Sequence, residues 1–305
     1  MTRRDFLGGA AVAGLARGAE AAESHPPLGA FVQAEGLRIH HIDRGAGPAV
    51  ALIHGASGNL RDFAFSLMDR LVARGLRVIA FDRPGLGYSD RAPERGWDPA
   101  VQARVLRAAA GRLGVENPVV LGHSWGGAVA MAWALQAPEQ TRGVLSLAGA
   151  THPWGDGVGL LYSLAASPLF SGVTRRAARL MIDADDPETV VSRIFWPNLV
   201  PSGYAEFIGV ELALRPDTFR HNAEDLTHLD AILAQQAPRY AGLPVPVEAI
   251  HGEADKTVWA SVHAAPLVEQ VAHGRLTLLP GVGHMPHHAE EDAVVAGVAR
   301  LAGID

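Results

Sequence analysis

The hexapeptide Gly122-His123-Ser124-Trp125-Gly126-Gly127 constrains the fold most, because it stands where a short apolar run (118–121) meets a helical pattern (128–136). A serine framed by glycines two residues before and after suits a sharp turn in which strand and helix backbones close in. Such a turn belongs to a layered α/β chain, and the surrounding pattern supplies one. Alternating segments at 30–33 and 37–43 read as strands, followed by buried strands at 49–53, 77–81, 118–121 and 143–147. Helical spacing fills the gaps at 60–74, 99–113 and 128–136. Short strands alternating with helices predict right-handed βαβ units and a mostly parallel central sheet flanked by helices.

The alternation stops at Thr151. From 151 to 238 the pattern is helical and aromatic, with no convincing strand. It resumes with strands at 245–250 and 276–279 and helices at 262–271 and 292–301. The expected organisation is one α/β domain (25–150 and 239–305) with a helical insert (151–238) between two of its strands. The 48% apolar and 19% charged residues suit a globular chain rather than a disordered one. A formal net charge of -6 without a long basic run predicts no nucleic-acid partner. The absence of cysteine removes disulfides, thiolate nucleophiles and Cys-ligated metals.

Residues 1–24 stand apart. Arg3-Arg4 precede the weakly apolar stretch 7–15, Arg17 follows, and Ala19-Glu20-Ala21 is a small-x-small cleavage pattern. This order resembles a twin-arginine export signal of bacteria, which predicts contact with the export machinery and a periplasmic or secreted protein. The stretch is shorter than the roughly 20 apolar residues a bilayer span needs, so no stable membrane insertion is expected.

Ser124 is the expected nucleophile, and a hydroxyl needs a base. Of fourteen histidines, His284 is the best placed, since Gly281-Val282-Gly283 leaves it free on the loop after the last strand. His287 and His288 are rivals that read as the lead-in to the final helix. His40 and His41 read as strand residues, and His263 and His273 as residues of a surface helix. The orienting acid should follow an earlier strand. Asp255 does, with Glu253 its nearest competitor and Asp156 a remote one; an N-cap is the bland alternative for Asp255. The oxyanion donors are expected at the backbone amides of Trp125 and of Ala56, with Ser57 second.

His54-Gly55-Ala56, Asp82-Arg83-Pro84-Gly85, the turn at Ser124, the Gly-x-x-Asp at Asp255 and the Gly-His at His284 together resemble the α/β-hydrolase superfamily. The resemblance runs from about Phe31 to the end, outside the insert. It implies an α/β-hydrolase fold with the insert as a helical lid, and Trp154, Phe195 and Trp196 as candidate pocket residues. The turn also resembles that of epoxide hydrolases and haloalkane dehalogenases, which carry aspartate where this chain has Ser124. An acyl-enzyme is therefore expected rather than an alkyl-enzyme ester.

The expected function is hydrolysis of a small-molecule carboxylic ester on Ser124, with Asp255 and His284, no organic cofactor and no metal. Two alternatives stay open: a lactone or carbon–carbon bond hydrolase with the same triad, or a non-catalytic binding or sensing protein.

Overall fold

In the computed structural model, which describes residues 24–154 and 187–304, burial alternates along the central strands. In β3 (Ala49–Ile53), Ala51 and Ile53 enter one apolar cluster while Val50 and Leu52 enter another. A strand covered on both faces requires that pattern. The remaining strands are β1 (Ala30–Ala34), β2 (Leu37–Arg44), β4 (Arg77–Phe81), β5 (Val119–His123), β6 (Gly143–Leu147), β7 (Val247–Gly252) and β8 (Gly274–Leu279). They form one sheet in the order β1-β2-β4-β3-β5-β6-β7-β8. Strands β3 to β8 pair in parallel, and the β1–β2 hairpin joins antiparallel through β4.

The first cluster is closed by Leu106 of α3 (Pro99–Arg112), Trp133 of α4 (Trp125–Gln136), Leu233 of α8 (Pro216–Gln236) and Leu267 of α9 (Ala260–Gln270). The second is closed by Phe63 of α1 (Arg61–Ala64), Leu71 of α2 (Leu67–Ala73) and Val298 of α11 (Glu291–Ala302). The sheet is thus covered by helices on both sides, as the sequence predicts. The single helix expected at 60–74 is instead α1 and α2, broken at Ser66, whose φ is -154°. Phe65 explains the break. Its ring packs on Tyr204 and Phe207 (centroids 5.4 and 5.6 Å), away from the cluster that takes Phe63 and Leu67.

Residues 1–23 of the expected signal lie outside the described residues, as do Asp156, Leu160, Leu161, Tyr162 and Phe170 of the expected insert. The described residues between β6 and β7 carry α5 (Pro187–Phe195), α6 (Tyr204–Ile208), α7 (Val210–Ala213) and α8, with no strand. Among the described residues no helix is long and apolar enough to cross a membrane.

Candidate active site

Four parallel strands end at one edge of the sheet, and the loops that follow them carry the site. Ser124 follows β5, Asp255 follows β7, His284 follows β8, and Gly55-Ala56 follow β3. Ser124 has φ 52° and ψ -122°, a conformation few non-glycine residues adopt. Its backbone is fixed on three sides: its N–H donates to Leu147 O at 3.0 Å, and its carbonyl accepts from Gly127 and Ala150, each at 2.9 Å. The flanking glycines are required by contact. A Cβ at Gly122 would lie 2.2 Å from Gly126 O, and one at Gly126 would lie 2.3 Å from Ile53 O. Strand and helix therefore meet backbone to backbone beneath the serine.

Ser124, His284 and Asp255 come together. His284 Nδ1–H donates to Asp255 Oδ2 at 2.6 Å, which leaves the Nε2 lone pair facing the Ser124 hydroxyl at 2.9 Å. Asp255 Oδ1 accepts from the amides of Thr257 (2.8 Å) and Val258 (3.0 Å), closing a local turn; the N-cap of the helix that follows, Ala260–Gln270, is Trp259, so Asp255 is not that helix's cap. Burial alone would raise the Asp255 carboxyl. Hydrogen bonds from His251 and His284 outweigh it, and the group is held well below the usual carboxylate range. His251 was not singled out by the sequence. Its Nε2–H lies 2.7 Å from Val258 O and 3.3 Å from Asp255 Oδ2, a second hand on the same carboxylate.

Of the expected oxyanion donors, Trp125 opens α4, where helical N–H groups are unpaired and the dipole is positive. On the facing loop the Ser57 amide donates to Asn222 Oδ1 at 2.6 Å, so the second-ranked donor is already used. Arg83 ties this loop to the elbow. Its guanidinium donates to Gly55 O (3.2 Å) and to Asp225 Oδ2 (2.8 Å), and lies 4.1 Å from the centroid of the Trp125 ring. Trp125 Nε1 donates to Asp225 O at 3.2 Å. Both Arg83 and Asp225 are fully buried.

His54 supports the same loop. Its Nδ1–H donates to Gly55 O (2.9 Å) and its Nε2 accepts from Arg83 N–H (3.0 Å), so the ring is neutral. Burial, with Arg83 beside it, brings its pKa down to about 4. The unfolded chain, with an ordinary histidine pKa near 6.5, takes up this proton as pH falls from about 6.5 to about 4 while the fold does not. Stability is therefore full above that window and falls with pH through it. His263, lowered to about 3 mainly by burial, acts with the same sign. Urea unfolding at pH 7.5 and 4.5 should show a loss of at least about 2 kcal/mol; equal stability at the two pH values would contradict the neutral, buried state of these rings.

His263 corrects a sequence expectation. It lies on α9 yet is fully buried, its Nδ1 accepting the amides of Thr151 and His152 (both 3.2 Å), with Trp154 edge-on at 4.3 Å. The buried residues of α9 are His263, Ala264 and Leu267, so this face, not an exposed one, carries the histidine. Trp154 thus packs on α9. Phe195 is also buried, against Tyr204 (4.9 Å) and His288 (5.4 Å). Of the three expected pocket aromatics, Trp196 lines the cavity beside the triad, about 410 Å³ in volume, together with His284, Ile194 and Thr257. Asn198, which the sequence did not suggest, braces the base: its Oδ1 accepts from Gly283 N–H (2.9 Å) and its Nδ2 donates to Gly281 O (3.2 Å).

His287 and His288 do not compete for the serine. Both Nε2–H groups donate to Asp62, at 3.0 and 2.9 Å, and Tyr204 OH adds a third bond at 2.8 Å. His123 links this cluster to the base by donating Nε2–H to His284 O at 2.9 Å. Asp62, His287 and His288 are the one set among the described residues with metal-ligand proximity. A metal on either Nε2 would move that ring's proton to Nδ1, which is buried without a partner in His123, His287 and His288 alike. Metal-ligating histidines have an outer acceptor for that proton, so the arrangement fits a hydrogen-bonded brace better than a metal centre.

Comparison with known proteins identifies the family. Residues 50–297 match the model of the "Alpha/beta hydrolase family". The chain is 24% identical over 280 residues to a 2-hydroxymuconate semialdehyde hydrolase of Pseudomonas sp. (strain CF600), covering 91% of this chain and 95% of that one. It is 34% identical to bifunctional epoxide hydrolase 2 of Sus scrofa over 113 residues, 37% of this chain and 20% of the relative. Several further curated relatives are likewise matched over only about two fifths of their length or less. The fold resembles that of an esterase (EaEST) from Exiguobacterium antarcticum, with a TM-score of 0.71, 22% identity, and coverage of 90% of this chain and 100% of that one.

Proposed function

The chain belongs to the alpha/beta hydrolase family, and from that premise we propose that it is a serine hydrolase cleaving a carboxylic ester through an acyl-enzyme on Ser124. One observation carries the reading: the elbow holds a serine, its Oγ 2.9 Å from His284 Nε2, with His284 Nδ1 2.6 Å from Asp255. His284 takes the serine proton as Oγ attacks the ester carbonyl, then gives it to the departing alcohol. Asp255, held ionised, stabilises the imidazolium that forms between those steps. The amides of Trp125 and Ala56 hold the oxyanion, at roughly 3 kcal/mol each to the transition state. Water activated by the same histidine then releases the acid. The pair Arg3-Arg4 supports export of the folded enzyme to the periplasm or beyond, and the insert between β6 and β7 is read as a lid over the site.

A second reading, hydrolysis of a carbon–carbon bond with the same triad, has one observation in its favour: the end-to-end likeness to the semialdehyde hydrolase. Side-by-side kinetics with short-chain ethyl and 4-nitrophenyl esters, lactones and vinylogous 1,5-diketones separate the two. The ester reading expects the highest kcat/KM on an ester. A higher value on the diketone would transfer the proposal to carbon–carbon cleavage.

A further inference from the structure

Lys256 is the only lysine in the sequence, and it directly follows Asp255. Its ammonium lies 4.0 Å from the centroid of the Trp196 ring, and both residues line the cavity that reaches His284. The charged groups on that cavity wall are Lys256 and Arg193, and among the described residues no carboxylate lines it. Ser192 and Thr257 add hydroxyls.

Position and chemistry combine here. Lys256 and Trp196 are both exposed, and the Trp196 face localises the ammonium by a cation–π contact. A bound anion then meets a cation already localised at the cavity, which lowers the ordering cost of pairing. A neutral chain entering the same cavity gains apolar contact with Trp196 and Ile194 but leaves the ammonium without a counter-charge. The volume of about 410 Å³ lies in the range of small-molecule sites.

We propose that this cavity selects an anionic substrate: an ester whose acyl chain ends in a second carboxylate, paired with Lys256 while the ester carbonyl sits at Ser124. The substrate class rests on the ester reading above. The net reaction is a dicarboxylate monoester anion plus water giving the dicarboxylate dianion, an alcohol and one proton released to solvent, with Lys256 taking no part in bond making. Lys256 is a specificity residue, and the carboxylate it holds is carried unchanged from substrate to product.

Two measurements test the site and the reaction separately. The first needs no turnover. Trinitrobenzenesulfonate modifies amines, so this protein offers it Lys256 and the chain's α-amine, distinguished by peptide mapping. Adipate should slow modification of Lys256 at least fivefold at matched ionic strength, leaving the α-amine rate unchanged, whereas neutral adipamide should not. Equal effects of adipate and adipamide, or no protection, would overturn the proposal. The second follows hydrolysis of monoethyl adipate and ethyl heptanoate by pH-stat. The ratio of their kcat/KM values should fall about tenfold in Lys256→Gln and largely return in Lys256→Arg, since a charged hydrogen bond is lost and restored. A ratio unmoved in Lys256→Gln would overturn the proposal too. Protection by adipate with no ester turnover in the unmutated protein would sustain the anion site and refute the ester reading.

Discussion

Ser124→Ala is expected to lower kcat for ester hydrolysis by about 10⁴- to 10⁶-fold while leaving the fold unchanged. The oxyanion donors and the cavity stay in place without the hydroxyl, so some acceleration over water persists, but the covalent route is closed. The fold should survive because the strain at φ 52° belongs to the backbone, and the three backbone bonds fixing it do not involve Oγ. Circular dichroism and the thermal midpoint should match the unmutated protein. Activity within tenfold of the original would remove Ser124 as nucleophile.

Asp255→Asn should cost about 10⁴-fold in kcat. An asparagine amide of nearly the same shape would donate to His284 Nδ1 rather than accept from it, placing the imidazole proton on Nε2, where it can no longer take the serine proton. The hydrogen bond of 2.6 Å between His284 and Asp255 makes the group facing Nδ1 the tautomer's determinant. His251 adds a contrast. It reaches the same carboxylate at 3.3 Å, so His251→Phe should have the smaller effect of the two. An Asp255→Asn enzyme with near-normal kcat would mean that another carboxylate orients the base, Glu253 being the nearest in sequence.

The triad was legible because each member carries a local signature. Ser124 has its glycines and its strand–helix junction, His284 its glycine-rich loop after a strand, and Asp255 its place after β7. The sheet was legible for the same reason, since strands buried on both faces read as continuous apolar runs. What escaped has no local signal. Arg83, read only as part of the Asp82-Arg83-Pro84-Gly85 motif, and Asp225 are 142 residues apart with nothing local to pair them, yet they meet in the core under Trp125. Asp62 joins His287, His288 and Tyr204 across more than 140 residues, so a helix-facing aspartate gave no sign of three partners. His263 was misplaced because one polar residue on an Ala-rich helix resembles a surface position until its acceptor role toward Thr151 and His152 is seen. The break at Ser66 depends on Phe65 finding Tyr204, a tertiary choice that overrides helical spacing.

An activated serine at position 124 is tested most directly by the intact mass of the protein after exposure to a fluorophosphonate, alongside Ser124→Ala. One adduct is expected on the unmutated protein and none on the variant. No adduct on the folded protein, or an adduct that persists in Ser124→Ala, would contradict the assignment.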